Sequence, residues 1–270
     1  QACPYGAIIA QKRPCVNSCK VKAISVGEDK KAVIDNQKCI SCGACVYQCP
    51  FGTIVDKSMV LESIDILKNS ENNQKYHVYA VIAPSIVSQF KYAKIAQVVT
   101  GMRKLGFHQV VEAALGADIT LYHEAEEWKE KGILTTSCCP SFVMFVEKNF
   151  PELAKYISHS VSPMVEAALL IKRTDPNGKV IFIGPCASKK LEYKLPKTQG
   201  AIDSVLSFEE LQAFLDARHI DVGSLEETSL DNASFYGRIF AKSGGIAQGI
   251  ADVAEEMGVE GVRPLAMNGI

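Results

Sequence analysis

The tightest constraint on this chain is a run of thiols, Cys39-Ile40-Ser41-Cys42-Gly43-Ala44-Cys45-Val46-Tyr47-Gln48-Cys49-Pro50. Its spacing, C-x2-C-x2-C-x3-C-P, lets one tight loop offer three sulfurs to one [4Fe–4S] cube while the proline-led turn aims the fourth at another cluster. Four cysteines this close are a poor wrapping for one tetrahedral zinc ion, whose ligand pairs are set apart by a longer loop. Two segments echo the end of the run: Cys3-Pro4-Tyr5-Gly6-Ala7-Ile8 and Cys19-Lys20-Val21-Lys22-Ala23-Ile24, against Cys49-Pro50-Phe51-Gly52-Thr53-Ile54. By the same crossing logic Cys39, Cys42 and Cys45 share a cube with Cys19, and Cys49 joins Cys15 and Cys3 on a second. The second cube is then one ligand short, which places that ligand before Gln1; alternatively, Cys3 closes a further motif upstream.

The ten cysteines of the 270-residue chain are clustered rather than spread as a disulfide framework, which points to metal binding in a reducing, hence cytoplasmic, compartment. A net charge of -1 gives no electrostatic reason to expect nucleic acid or an acidic membrane surface. No apolar run approaches the roughly 18 residues of a membrane span. Gln1 is not an initiator residue, so the sequence leaves room for an upstream segment, a targeting signal included.

The organisation follows from punctuation and periodicity. Residues 1–57 form the iron–sulfur segment. Ser58 can cap a helix with Val60, Ile64 and Leu67 on one face, and the polar tract Asn69 to Lys75 reads as a linker, so 58–75 is a helix and joint. From 76 to 270 strands alternate with helices: a strand at Val78–Ile82, a helix carrying Ile95, Val98, Met102 and Leu105, a strand at Val110-Val111 and a helix from Gly116 to Lys131. A helix opened by Pro140, another after Ser162-Pro163, a strand at Val180–Ile183 and helices around Phe208–Leu215 and after Gly244-Gly245 follow, with a last strand from Val262 to Met267. The class this predicts is α/β with parallel strands, preceded by the small cluster domain.

Two stretches of the larger part carry thiols. Thr135-Thr136-Ser137-Cys138-Cys139-Pro140 follows the apolar pair Ile133-Leu134, and Ile183-Gly184-Pro185-Cys186-Ala187-Ser188-Lys189-Lys190-Leu191-Glu192 follows Val180–Ile183. If both apolar runs are strands, both thiol groups sit at strand ends, where α/β folds gather function. Adjacent cysteines also suit a core as small apolar residues, and Glu124, Glu126 and Glu127 also suit a solvated helix face.

These two stretches resemble the signature segments of the iron-only, or [FeFe], hydrogenases: Thr-Ser-Cys-Cys-Pro, and Pro-Cys-x-x-Lys-x-x-Glu with Pro185, Cys186, Lys189 and Glu192 in place. The chain departs from the family at Gly184, where Met is usual, and at Ser141-Phe142, where Gly-Trp is usual. A residue as small as Gly184 is expected to open space in the pocket. The resemblance implies a ferredoxin-like domain with two [4Fe–4S] clusters and a domain for the H-cluster, a [4Fe–4S] cube joined to a two-iron unit with CO and cyanide. It implies Cys139 and Cys186 as cube ligands, Cys138 as the proton-delivering thiol, and Lys189, with Ser85 in Ala83-Pro84-Ser85 and Pro185, around the two-iron unit. Glu192 is implied as a structural partner near the site. Protons are expected to pass from Cys138 to Glu127, Ser158 and Glu124. The implied activity is reversible oxidation of H2, with a ferredoxin-like electron carrier and hydrogenase maturation proteins as partners. An assembly protein without the two-iron unit and a sensory hydrogenase are the alternatives. Because Cys139 and Cys186 make only two of four cube ligands, the resemblance also implies two further cysteines downstream and an inactive isolated fragment.

Overall fold

The computed structural model describes residues 3–5, 7, 12–259 and 261–265. The chain divides into two compact units, one up to Lys57 and one from Ser58. In the smaller, β1 (Ile24–Val26) pairs antiparallel with β2 (Ala32–Ile34), Ser25 opposite Val33. Cys15, Ala23, Ile24 and Ile40 are its buried apolar residues. Two short helical turns, Pro14–Ser18 and Ala44–Tyr47, carry Cys15 and Cys45. Ser41 and Gly43 take left-handed φ values of 55° and 79°, which curls the chain tightly between Cys39 and Cys45; Gly43 does this without the steric cost a side chain adds. Of the first repeat, Gly6 and Ile8 lie outside the described residues.

The larger unit is built on a parallel four-stranded sheet in the order β4-β3-β5-β6, made of β3 (Val78–Ile82), β4 (Gln109–Glu112), β5 (Lys179–Ile183) and β6 (Ser204–Leu206). Side chains alternate between its faces. Val78, Ala80, Ile82, Ile181 and Ile183 enter one apolar cluster, while Val81, Val111, Val180, Phe182 and Val205 enter another. Helices α1 (Val60–Asn69), α2 (Ile95–Lys104) and α6 (Phe208–Ala217) pack on the first face; α5 (Pro163–Thr174) covers the second. Two covered faces explain why these strands read as continuous apolar runs. Between β4 and β5 the chain forms α3 (Ala113–Lys131) and α4 (Pro140–Asn149), and α7 (Gly245–Glu256) packs Val253 and Ala254 on Leu121 and Ala125 of α3. A β-carbon at Gly116 of α3 would stand 2.0 Å from the Pro163 carbonyl oxygen, so a side chain there would force α3 and α5 apart.

Three sequence expectations change. The tract Asn69 to Lys75 is a fixed turn, not a loose joint: Glu71, Asn72 and Asn73 are left-handed, Asn73 Nδ2 donates to the Gly106 carbonyl at 2.9 Å, and Asn73 Oδ1 accepts from Val78 N at 2.8 Å. Two of its polar side chains, Ser70 and Asn73, satisfy backbone groups, and the others face solvent. Ile133-Leu134 is not a strand; Gly132 ends α3 in a left-handed cap, and the pairing nearby is an isolated bridge of Thr135 to Ile157. Val262 to Leu265 have no strand pairing, and Ala266 and Met267 lie outside the described residues. The three-residue strands β1, β2 and β6 are too short to show a period, so the sequence pattern does not announce them.

Candidate metal centre and its polar surroundings

In the smaller unit, backbone N–H groups point at sulfur. Ala23 N donates to Cys19 Sγ at 3.1 Å, Ser41 N to Cys39 Sγ at 3.4 Å and Thr53 N to Cys49 Sγ at 3.3 Å. Such bonds favour the thiolate, which is the ligating form. The Cys49 thiol is lowered to about 7, first by the Thr53 hydroxyl at 3.2 Å. Burial raises Cys45, and the neighbouring Cys39 and Cys42 add to the rise. Cys42 is exposed, Cys15 buried and Cys3 half-buried. Among the described residues no three His, Cys, Asp or Glu side chains are arranged to hold a single metal ion. Tight loops of half-exposed thiols with N–H donors fit the larger iron–sulfur cube.

In the larger unit the ends of β3 and β5 are neighbours: Ala83 N donates to the Ile183 carbonyl at 2.9 Å. Pro84-Ser85 and Pro185-Cys186 therefore leave the sheet side by side, at the carboxyl end where α/β sheets place their sites. Cys138 and Cys139 arrive by another route, in the turn that starts α4, with Pro140 as its first residue. Lys189 joins the two motifs. Its Nζ donates to the Cys138 carbonyl at 2.9 Å and to Glu192 Oε2 at 2.5 Å, and Glu192 is buried. Three ammonium donors serve two partners here, which leaves one for an anionic ligand. Ser85 Oγ makes no hydrogen bond within the described residues. Cys186 Sγ lies 2.9 Å from Ser188 Oγ.

Gly184 opens no space. A β-carbon there would meet the Phe182 ring at 2.6 Å and Ala83 at 3.2 Å, so the aromatic ring already fills the volume a larger residue would take.

The acids and Ser158 come together, in an order opposite to the one expected. Glu124 is fully buried, its Oε1 accepts from Ser137 N at 3.3 Å, and its charge bears on the Cys138 thiol. Burial raises its pKa to about 7, against the Ser137 N–H and the nearby Ser158 hydroxyl, which lower it. Ser158 Oγ donates to Glu127 Oε2 at 2.7 Å. Glu127 also takes Lys131 Nζ and the His159 backbone N–H, and the His159 side chain is 84% exposed. Glu124 is thus the acid on the Cys138 side, and Glu127, bonded to Ser158, the one beside the exposed His159. The i, i+3 spacing put both acids on one face of α3 but could not say which end of that face lies deeper.

Sequence reasoning assigned no role to four polar residues here, Thr135, Thr136, Ser141 and Ser162. Thr136 Oγ1 donates to Cys138 Sγ at 3.1 Å, while burial pushes that thiol up to about 12. Ser141 and Ser162 are buried with unpartnered hydroxyls, as are Thr135 Oγ1 and Glu124 Oε2. Thr135 and Ser141 flank the Cys138-Cys139 turn, and Glu124 holds Ser137 within it. Polar atoms kept dry and unpaired beside two free thiols and a spare lysine donor fit a polar metal cofactor. Ser162 carried only a helix-start signal.

Residues 76–267 match the family model described as iron only hydrogenase large subunit, C-terminal domain, and residues 32–55 match a 4Fe-4S binding domain. The chain belongs to the iron-only hydrogenase large-subunit family. Iron hydrogenase 1 of Clostridium pasteurianum is 28% identical over 321 residues, covering 89% of this chain and 55% of that protein. The cytosolic Fe-S cluster assembly factor NAR1 of Eremothecium gossypii is 27% identical over 75% of this chain and 48% of its own length. The chain thus spans about half the length of these relatives. An apo form of the [FeFe]-hydrogenase HydA1 from Chlamydomonas reinhardtii superimposes with a TM-score of 0.63 at 24% identity, over 79% of this chain and 62% of that one, a likeness of fold. Among the described residues no helix is long and apolar enough to cross a membrane.

Proposed function

We propose that these residues serve the reversible oxidation of hydrogen, with electrons passing through two [4Fe–4S] clusters to or from a ferredoxin-like carrier in a reducing, cytoplasmic compartment. Cys15, Cys19, Cys39, Cys42, Cys45 and Cys49, with Cys3, would hold the cubes of the smaller unit; Cys139 and Cys186 would ligate the cube of an H-cluster. When bound, the two-iron unit with CO and cyanide supplies the bond chemistry of hydrogen. The chain supplies position and protons. Lys189, Ser85, Pro84 and Pro185 shape the pocket at the ends of β3 and β5. Cys138 gives or takes a proton at Sγ, with Thr136 fixing the orientation of that sulfur. Glu124 exchanges it at a carboxyl poised near neutrality, as a proton carrier requires, and Ser158 hands it to Glu127, beside the exposed His159.

The observation that carries this reading is the buried Glu124 carboxyl, raised to about 7 and left with an unpartnered oxygen beside Cys138. A protein that only assembles clusters, as the NAR1 relatives are named for doing, gains nothing from a proton path. The test is infrared spectroscopy of the protein matured with hydrogenase maturation factors, followed by hydrogen evolution from reduced methyl viologen. CO and cyanide bands with turnover support the enzyme. Bands without turnover favour the sensory reading, and iron–sulfur absorption without such bands favours the assembly reading.

A further inference from the structure

Two adjacent lysines on the helical turn Lys189–Glu192 serve different partners. Consecutive positions on a helix do not share a face. Lys189 reaches the Cys138 carbonyl and Glu192. Lys190 reaches the start of α6, where its Nζ donates to Glu210 Oε1 at 3.0 Å and to Oε2 at 2.9 Å. The two side chains are only 7% and 14% exposed, and lysine is seldom buried so deeply unless it is paired. Glu210 is itself held in place. Its Oε2 accepts from Ser207 N at 2.7 Å, and its backbone N–H donates to Ser207 Oγ at 3.1 Å, the reciprocal cap that opens α6. On the other side of Cys186, Gly184 N donates to the Leu206 carbonyl at 3.0 Å. The segment that carries Cys186 is thus fastened to the β6–α6 stretch twice, by a backbone bond before the thiol and by an ion pair after it.

We propose that Lys190 and Glu210 are positioning residues for the metal pocket, their pair setting the turn so that the Lys189 ammonium and the Cys186 sulfur face it. The inference rests on the reading of that pocket as the H-cluster site. Three features carry it. A four-residue helical turn is too short to hold its own shape, so side-chain anchors decide where it points. A buried ion pair is a weak source of stability, because desolvation offsets its attraction; what the paired oxygens of Glu210 supply that an apolar contact does not is a fixed direction for the Lys190 side chain. And Lys189, one residue away, is the side chain that joins the turn to the Cys138 carbonyl, so a shift of the turn moves both cysteine motifs relative to each other. Partners that orient metal ligands from outside in this way tune the site without touching it.

The experiment compares Lys190→Met with the double variant Lys190→Met, Glu210→Gln. The single variant leaves a carboxylate in the interior without its cation and should unfold at lower urea. The double variant carries neither charge, keeps an amide oxygen for Ser207 N, and should recover most of that loss. In the cluster-free chain, proton–nitrogen NMR reads the Lys189 ammonium, assigned by its disappearance in Lys189→Met. Its resonance should move and broaden in both variants, although the double variant is as stable as the parent. A resonance that returns to the parent position once stability is recovered would make the pair merely structural and overturn the proposal, as would one that is unmoved in Lys190→Met. In the matured protein, the cyanide infrared bands of the double variant should shift, and turnover should fall about ten- to a hundredfold, the usual cost of losing an outer partner of a metal site. Bands and turnover equal to the parent's would also overturn it. The NMR arm needs no cofactor, so a parent without CO and cyanide bands would count against the proposed activity and leave the positioning result readable.

Discussion

Replacing Glu124 by Gln isolates the electrostatic cost of keeping a proton carrier inside the protein. The carboxyl rises from an ordinary 4.5 to about 7 on folding, chiefly through burial. A raised acid binds more protons in the folded than in the unfolded state between those two values, so stability falls as pH rises through this window and levels off above it. Each pH unit inside the window is worth about 1.36 kcal/mol. At pH 8 the cost of ionising Glu124 in place is therefore about 3 kcal/mol, against about 1 kcal/mol at pH 5. Gln keeps the shape and can still accept from Ser137 N, but carries no charge. Glu124→Gln should accordingly gain roughly 2.5 kcal/mol over the parent between pH 5 and pH 8, read as the difference between their urea-unfolding free energies. The other titrating groups are common to both proteins, so the difference between the two curves reports Glu124 together with its coupling to Glu127. Hydrogen turnover of the matured variant should fall by about two orders of magnitude or more, the usual worth of a positioned acid–base group. Parallel stability–pH curves for variant and parent would refute the argument, because they would mean that Glu124 does not titrate in that window.

Cys138→Ser should leave cluster loading intact while nearly abolishing turnover, since a hydroxyl is a much weaker proton donor than a thiol, whereas Cys139→Ser should lower iron content; reversed phenotypes would exchange the shuttle and the ligand. Gly184→Met, the residue usual in the family, should destabilise the larger unit by about 1–3 kcal/mol through overpacking against Phe182, and in a thermal melt its combination with Phe182→Ala should cost less than the sum of the two single substitutions.

The sequence by itself determined what is local or periodic. The thiol run at Cys39–Cys49 names its cofactor because ligand spacing is a property of a short loop. Val78–Ile82 and Val180–Ile183 announce a doubly covered parallel sheet because every residue of such strands must be apolar. Pro140 and Ser162-Pro163 mark helix starts through their own backbone restrictions. The two cysteine motifs were legible as motifs, and the fold joins them through the bond of Lys189 Nζ to the Cys138 carbonyl. What tertiary structure decided is depth and juxtaposition. Helical spacing gives Glu124 and Glu127 the same face; only the packing of α3 against α5 at Gly116 and against α7 at Leu121 sets which acid is sealed in and which meets Lys131 and His159. The missing side chain at Gly184 reads as added space until the Phe182 ring is seen to occupy it. The tract Asn69 to Lys75 looks like a linker because polar residues in sequence cannot show that their partners are backbone groups of Gly106 and Val78. Burial and hydrogen bonding depend on residues far apart in the chain, and their effect on charge is not carried by composition.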